Sequence, residues 1–579
     1  MPNSMLLRGG IALIHGENDV VTAQRTDILV SGGKIKKIGE SIEAGGAEVI
    51  DCTGKLISPG FVDTHHHCWQ TQLKGRHANH MLLEYIPTGN LTAFLFGPDD
   101  VYLGELGGLM ELIDAGVTTV VDHCHAIYSP EHANAALKAT VESGIRSVFC
   151  YSSAFLTSEW DQNSTSIDQT PLPDWFLAHL VKLASQKHAE GRVEIGFGWD
   201  HFFLGEETNK MVFKTVRDAG VKLITTHWVN ESPIFGPRSS ITTMDQQSLV
   251  GPDILVSHGN QMNDEDATIF KKHGMSVSST PMTELQMGHG LPICYDPRFE
   301  DCASLGVDCH SSGAGDMITQ MRVGLQAERG VFNQKYVEQG KNPSTCKQTV
   351  ENTFNLATIK GARACKLGDK VGSIAVGKSA DFVIFDTETP AMICAAKRDP
   401  IAAIVLHSSI RDIDAVIVDG VVRKANGKLL PVETKEKELL NWKDIVAQLE
   451  ESYELIEGKA KKLNYEEATK TIWILKPRPG FDSSFKLECG GYQIFDEDGK
   501  IWGTKEEEYR PELKHAFWGI VADQGTQSQD EPGYLIKDPI GSSAWSFAGI
   551  KGSQIILRPA PPNNQKTHPS QLFTFIPVL

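Results

Sequence analysis

The sequence lacks the marks of several large protein classes. It has no apolar run near the roughly 20 residues that span a bilayer. Met1 to Val20 carries no basic segment ahead of an apolar one, so no secretory signal is expected. There is no Cys-x-x-Cys pair, and the 11 cysteines are odd in number and scattered. That fits reduced thiols in the cytoplasm rather than a disulfide framework or a zinc knuckle. Positive charge is not in excess: 55 Lys and Arg against 73 Asp and Glu leave −18. This disfavours nucleic acid or an anionic membrane as partner and leaves a small-molecule substrate as the expectation.

What is present is an ordinary globular composition, 41% hydrophobic and 22% charged, which supports a large core. At 579 residues more than one domain is expected. From Gly60 to about Ala364, short apolar runs alternate with longer amphipathic stretches. Eight runs stand out: Gly60–Thr64, Val117–Asp122, Ile145–Tyr151, Val193–Trp199, Val221–Thr226, Asp253–Ser257, Met275–Ser279 and Cys302–Val307. Several follow a helix-like segment ending in Gly, as in Asp114-Ala115-Gly116 and Lys272-His273-Gly274, the pattern of helix, stop and buried strand. Alternating α and β units imply a parallel sheet, and eight of them match the size of a (β/α)8 TIM-like barrel. An open doubly wound sheet is the alternative, but no glycine-rich phosphate loop follows the first strand.

Barrel chemistry gathers at the C-terminal ends of the strands. Those ends carry His65 and His67, His123 and His125, Asp200 and His201, His227, His258 and Asp308. In an extended chain alternate residues share a face, so His65 and His67 point into one space and His66 points away. Two imidazoles so placed are half of a metal site.

Residues 1–58 and 365–432 are β-rich and are expected to form one composite β-sandwich domain beside the barrel of residues 59–364. Residues 433–480 read as a charged helical segment and linker, in which Trp442, Ile445, Leu449, Tyr453 and Ile456 share a helical face. Residues 481–579 read as a small β-rich domain of unassigned role.

Across about residues 5–430 the chain resembles the amidohydrolase superfamily, in the branch holding cytosine deaminase, methylthioadenosine/adenosylhomocysteine deaminase and the triazine hydrolases. The resemblance is carried by PGFVDTHHHCWQTQLKG (59–75), DAGVTTVVDH (114–123), TTHWVNE (225–231), LVSHGNQMNDED (255–266), TPMTELQMGHG (280–290), SLGVDCHSSGAGDM (304–317) and VGSIAVGKSADFVIFD (371–386). It implies His65, His67, His227 and Asp308 as metal ligands, with His258 hydrogen-bonding the attacking water or the substrate. Two-metal members use a strand-four lysine; Val193 to Asp200 has none, so one divalent metal is expected. Zinc suits three imidazoles and a carboxylate, with Fe2+ or Mn2+ as alternatives.

The resemblance also implies a hydrolase of non-peptide C–N bonds in a small cyclic or heterocyclic substrate, a deaminase or amidohydrolase, with dimers common. Asp308 and His258 are the expected catalytic residues, and Trp69, Gln72, His123, His125, Glu284, Met287 and His289 the expected substrate contacts. One departure stands out. Deaminases of this branch carry a proton-shuttling glutamate three residues after the strand-five histidine. Here that position is Asn230, with Glu231 the substitute candidate one residue later. An amide cannot shuttle a proton, so dehalogenation, decarboxylation or elimination in the same site remains an alternative chemistry, and a non-catalytic scaffold the alternative class.

Overall fold

The computed structural model describes residues 4–153, 157–163, 165–167, 172–229 and 241–465, together with strand segments between 474 and 556. The eight apolar runs form one eight-stranded parallel sheet: β1 Phe61–His66, β2 Val117–Cys124, β3 Arg146–Ser152, β4 Val193–Gly198, β5 Ile224–Val229, β6 Ile254–Asn260, β7 Ser276–Ser279 and β8 Ala303–Leu305. The strands neighbour one another in chain order. The ends of the sheet meet where Asp308 N and Val307 N donate to the His65 carbonyl at 2.8 and 3.1 Å. Every residue of β1 is buried, as expected of a strand covered on both faces.

Closure brings backbone against backbone at Gly306. A Cβ there would stand 2.8 Å from both the His65 nitrogen and its carbonyl oxygen, closer than real contacts allow. Asp63 fastens the same seam, accepting from His65 N at 3.2 Å and Val307 N at 3.0 Å. Under the C-terminal ends of the strands, Thr64, Ser278 and Ser304 place a layer of hydroxyls in the interior. Thr64 Oγ1 lies 2.7 Å from Ser278 Oγ and 2.8 Å from Ser304 Oγ, and donates to the Leu305 carbonyl at 2.9 Å. Buried hydroxyls are tolerated because they satisfy one another.

The strands flanking the barrel in sequence share one nine-stranded sheet. Phe382–Asp386 pairs antiparallel with Lys55–Pro59, joining the chain before the barrel to the chain after it. Arg146, at the start of β3, ties barrel to sheet. Its guanidinium donates to both oxygens of Asp381 at 2.9 and 3.2 Å and to Asp419 at 2.8 Å.

Two helices matter to the site. Helix α1, Pro98–Asp114, lies against the turn after β1 so tightly that a Cβ on Gly104 or Gly108 would strike the Trp69 or Cys68 carbonyl oxygen. A helix at Trp442–Ala460 packs on α1 and on that same turn. Its buried stripe is Ile445, Leu449, Ser452, Ile456 and Ala460. Trp442 and Tyr453, expected on that face from apolarity alone, are about two-fifths exposed. Ser452 takes the buried place because its hydroxyl is satisfied, donating to Asp100 at 2.6 Å and accepting from Gln72 Nε2 at 3.0 Å. Strand segments at Ile474–Pro477, Phe485–Cys489, Tyr492–Glu497, Lys500–Lys505 and Ile555–Ile556 make a five-stranded sheet, and Gly519–Ala522, Gly533–Lys537 and Ala544–Ala548 a three-stranded one.

Asp381→Ala leaves the Arg146 guanidinium buried with only Asp419 as partner. Breaking a buried ion pair on one side costs about 3–5 kcal/mol. A clear drop in the thermal midpoint, followed by circular dichroism, is expected; an unchanged midpoint would show that the pair contributes no net stability.

Candidate active site

The strand ends converge. Ligand-capable atoms of His65, His227, His258 and Asp308 all lie within 4.8 Å of one another. Asp308 Oδ1 is 3.1 Å from His65 Nε2 and 3.2 Å from His67 Nε2, and His67 Nε2 is 3.2 Å from His227 Nε2. Donors around a tetrahedral zinc with bonds of about 2.0–2.1 Å stand roughly 3.3 Å apart.

The hydrogen bonds on the far side of each ring decide what these nitrogens carry. His67 Nδ1 donates to the His123 carbonyl at 2.7 Å, and a carbonyl only accepts. His67 Nε2 is therefore a bare lone pair in the neutral ring. His227 Nδ1 donates to Asp200 Oδ2 at 2.8 Å, while Asp200 Oδ1 accepts the His227 backbone N–H at 2.8 Å. A neutral His227 then presents a second lone pair to the first across 3.2 Å. That arrangement is repulsive unless a proton or a cation lies between the two nitrogens.

The protonation preferences agree. Burial drives His65 and His258 well below the usual histidine range, so both are neutral. Asp308 is ionised: burial opposes its charge, but the contacts from His65 and His67 outweigh burial and hold it well below the usual carboxylate range. At His227 burial again opposes charge, and the Asp200 carboxylate overcomes it and raises the pKa above 6.5. A metal takes an imidazole lone pair in place of a proton and binds an ionised carboxylate, and an imidazole backed by a carboxylate is the common support for a ligating histidine. The donor set therefore fits a divalent cation.

Strain gathers at the same place. His258 has φ +73° and Asp308 φ +69°, left-handed values that cost a non-glycine residue about 1–3 kcal/mol each. His258 Nδ1 is paired with Thr280 Oγ1 at 2.9 Å. Helix α2, Pro281–Gln286, brings fully buried Glu284 up behind it. Glu284 accepts from Thr280 N at 2.6 Å and from Ser279 Oγ at 2.9 Å, and burial pushes its pKa up to about 8. His289 lies edge-on to His258 with ring centroids 4.7 Å apart. On the opposite side the His125 ring lies against His67 at 4.1 Å, and Trp69 stands edge-on to His125 at 5.5 Å. His123 lies beside His227 at 4.4 Å. Met287 packs with Tyr85 and Cys309.

Gln72 is placed elsewhere than its motif position implies. Its amide nitrogen donates to the Asp100 carbonyl and to Ser452 Oγ, so it serves the scaffold instead of the cluster. Asn230 and Glu231 lie outside the described residues. Sequence reasoning missed Ser257, paired with His65 Nδ1 at 2.8 Å, and also Thr280, Gln70, Tyr85 and Cys309. Serines and threonines at strand ends are too common to be singled out by type, and Tyr85 lies in a stretch without periodicity.

The amidohydrolase family model matches residues 56–423. The chain belongs to the amidohydrolase family. Among curated relatives of this amidohydrolase, a 5'-deoxyadenosine deaminase of Methanobrevibacter smithii is 26% identical over 431 residues, 71% of this chain and 90% of the relative. A 5-methylthioadenosine/S-adenosylhomocysteine deaminase of Pyrococcus horikoshii is 25% identical over 452 residues, 75% of this chain and 97% of the relative. Among solved structures, a zinc-bound adenosine deaminase from Xanthomonas campestris superposes with TM-score 0.64 at 18% identity, covering 78% of this chain and 98% of its own. A zinc complex of atrazine chlorohydrolase from Arthrobacter aurescens gives TM-score 0.64 at 18% identity, covering 78% and 100%. These likenesses establish the barrel fold of the amidohydrolase. Among the described residues no helix is long and apolar enough to cross a membrane.

If His227 Nε2 binds a cation, a proton competes for the same lone pair, and metal affinity will fall as pH drops through the raised pKa of His227, above 6.5. Asp200→Asn lowers that pKa towards its ordinary value, and removes the charge behind the ligand, weakening metal binding by about 10–100-fold. Chelator competition across pH measures both; an affinity independent of pH would refute the proton–cation exchange.

Proposed function

We propose that this amidohydrolase binds one zinc ion through His65, His67, His227 and Asp308 and hydrolyses an exocyclic C–N bond of a small planar heterocycle, releasing ammonia. The observation that carries the reading is the pair of facing Nε2 atoms of His67 and His227, 3.2 Å apart, with Asp308 Oδ1 beside them. The deaminase names of the curated relatives support the reaction class. A divalent cation held there supplies a Lewis acid and a hydroxide-strength nucleophile at neutral pH.

The chain's own groups do the rest. Asp308 takes the proton of the attacking water and returns it to the departing nitrogen, acting as base and then acid. Atoms balance: water adds its oxygen to the ring carbon and both its hydrogens end on the leaving ammonia and the product. His258, buried and neutral, orients the water or the substrate from strand β6. His125 and Trp69 form an aromatic side to the site beside His67, suited to a flat ring. Asp200 and His227 keep solvent-accessible surface, 26% and 13% of their side chains, so they face the space a substrate would enter.

Asn230 favours a second reading. A leaving group such as chloride departs as an anion and needs no proton, so a site with Asn230 in place of the usual glutamate, and no proton from Glu231, is better suited to it than to an amine. Metal analysis with product assays separates the cases. About one zinc per chain is expected in the wild type and loss of zinc in His227→Ala. Asp308→Asn should lower kcat by about 10²–10⁴-fold. Ammonia release from heterocyclic amines supports the deaminase; chloride release from chlorinated analogues without ammonia supports the second reading. Wild-type protein that takes up no zinc refutes both.

A further inference from the structure

One buried chain of hydrogen bonds runs to Asp308 from outside the cluster. Residues 82–95, a series of short helical turns ahead of α1, carry Tyr85. The Tyr85 ring is clamped, since a Cβ on Gly89 would stand 2.4 Å from it, and it meets the His77 ring edge-on at 4.8 Å. Its hydroxyl lies 3.1 Å from Cys309 Sγ, and Cys309 Sγ lies 3.5 Å from Asp308 Oδ1. Gln70 Nε2 reaches the same hydroxyl at 2.6 Å. The other end of the Gln70 amide accepts from Ser311 Oγ at 3.0 Å, and Ser311 Oγ in turn is paired with His77 Nδ1 at 2.8 Å. Tyr85 and Cys309 are 4% and 5% exposed, and Gln70, Ser311 and His77 no more than 1%.

Only one set of directions satisfies these contacts together. An ionised carboxylate has no proton to give, so the single thiol proton of Cys309 points at Asp308. The contact between Cys309 and Tyr85 is then a donation from the hydroxyl to sulfur. Tyr85 oxygen, having given its proton away, accepts from the Gln70 amide. Gln70 is held in that orientation because its oxygen is taken by Ser311. Donors therefore line up from the 70–85 segment towards the carboxylate, and in a dry interior such aligned bonds reinforce one another.

We propose that Tyr85 is a positioning residue for Asp308, acting through Cys309. The inference rests on the reading of Asp308 as a metal ligand. It goes beyond that reading by making the order of the 82–95 segment and the aim of the carboxylate one event. A residue with φ +69° has a backbone that resists its own conformation, and the thiol contact gives the side chain a fixed direction from which to bind.

The test is zinc affinity of the full-length chain by chelator competition, with kcat and KM beside it. Tyr85→Phe and Cys309→Ala should each weaken zinc about tenfold, the lower end of the effect of a group supporting a ligand. The double variant should be no weaker than either single one, because both remove the same chain. Cys309→Ser, which keeps a donor and an acceptor at the position, should restore most of the affinity lost in Cys309→Ala. In turnover the loss should fall on kcat, with KM little changed. Independent losses that multiply in the double variant would overturn the relay through Cys309. Zinc affinity in Tyr85→Phe equal to wild type would overturn the proposal while leaving the metal reading standing. Wild-type protein without zinc affinity would remove the metal reading and this inference with it.

Discussion

The structure turns on a repulsion. Two imidazole nitrogens, His67 Nε2 and His227 Nε2, are aimed at each other across 3.2 Å by hydrogen bonds on their far sides. One far-side partner is a backbone carbonyl of β2 and the other a carboxylate at the end of β4. Releasing His67 would leave the buried His123 carbonyl without this partner, which costs about 1–3 kcal/mol, and Asp200 grips His227 at both its ring and its backbone N–H. The gap between the nitrogens is therefore enforced by the barrel itself. Something positive has to occupy it, and Asp308 supplies the nearest negative charge. A proton satisfies the gap at low pH. In the proposed site a divalent cation takes that place at neutral pH.

The rest of the fold reads as the means of holding that gap open. Barrel closure places Asp308 directly beside His65, through backbone bonds that Gly306 alone makes room for and that Asp63 doubles. In the hydroxyl layer below, Thr64, Ser278 and Ser304 are buried as one another's partners. Ser257 extends it upward to His65. Two left-handed non-glycine residues, His258 and Asp308, persist only because neighbouring structure over-determines them. Helix α1 and the helix at Trp442–Ala460 pack on the turn that follows His65 and His67.

The strands and the convergence of their ends were legible in the sequence for a plain reason. Buried parallel strands have to be continuous apolar runs, and helices that end on glycine mark where each begins. The alternation of a strand separates His65 and His67 from His66, and His66 does turn away, to Asp63 and His310. What pattern could not reach was anything set by a partner distant in sequence. Gln72 sits inside a matched motif, yet its amide is spent on Asp100 and on Ser452, 380 residues away. Ser452 displaced Trp442 and Tyr453 from the buried stripe because a hydroxyl with two partners is cheap to bury, and periodicity counts only apolarity. The tautomers of His67 and His227 depend on a carbonyl and a carboxylate whose positions exist only in the folded chain.

Asp308 is where these constraints meet. In the proposed reaction one carboxylate binds the cation, accepts a proton from water and gives a proton to the leaving group. A group carrying more of the chemistry has less freedom to be misaligned: displacement by about 1 Å can cost a hundredfold in rate. The observed environment answers that demand. Asp308 is held by the barrel seam through its backbone and by the Cys309 thiol on Oδ1, the oxygen that lies 3.1 and 3.2 Å from the Nε2 atoms of His65 and His67. The seam with β1 and the thiol of the next residue thus agree on one orientation of the carboxylate on which the proposed reaction depends most.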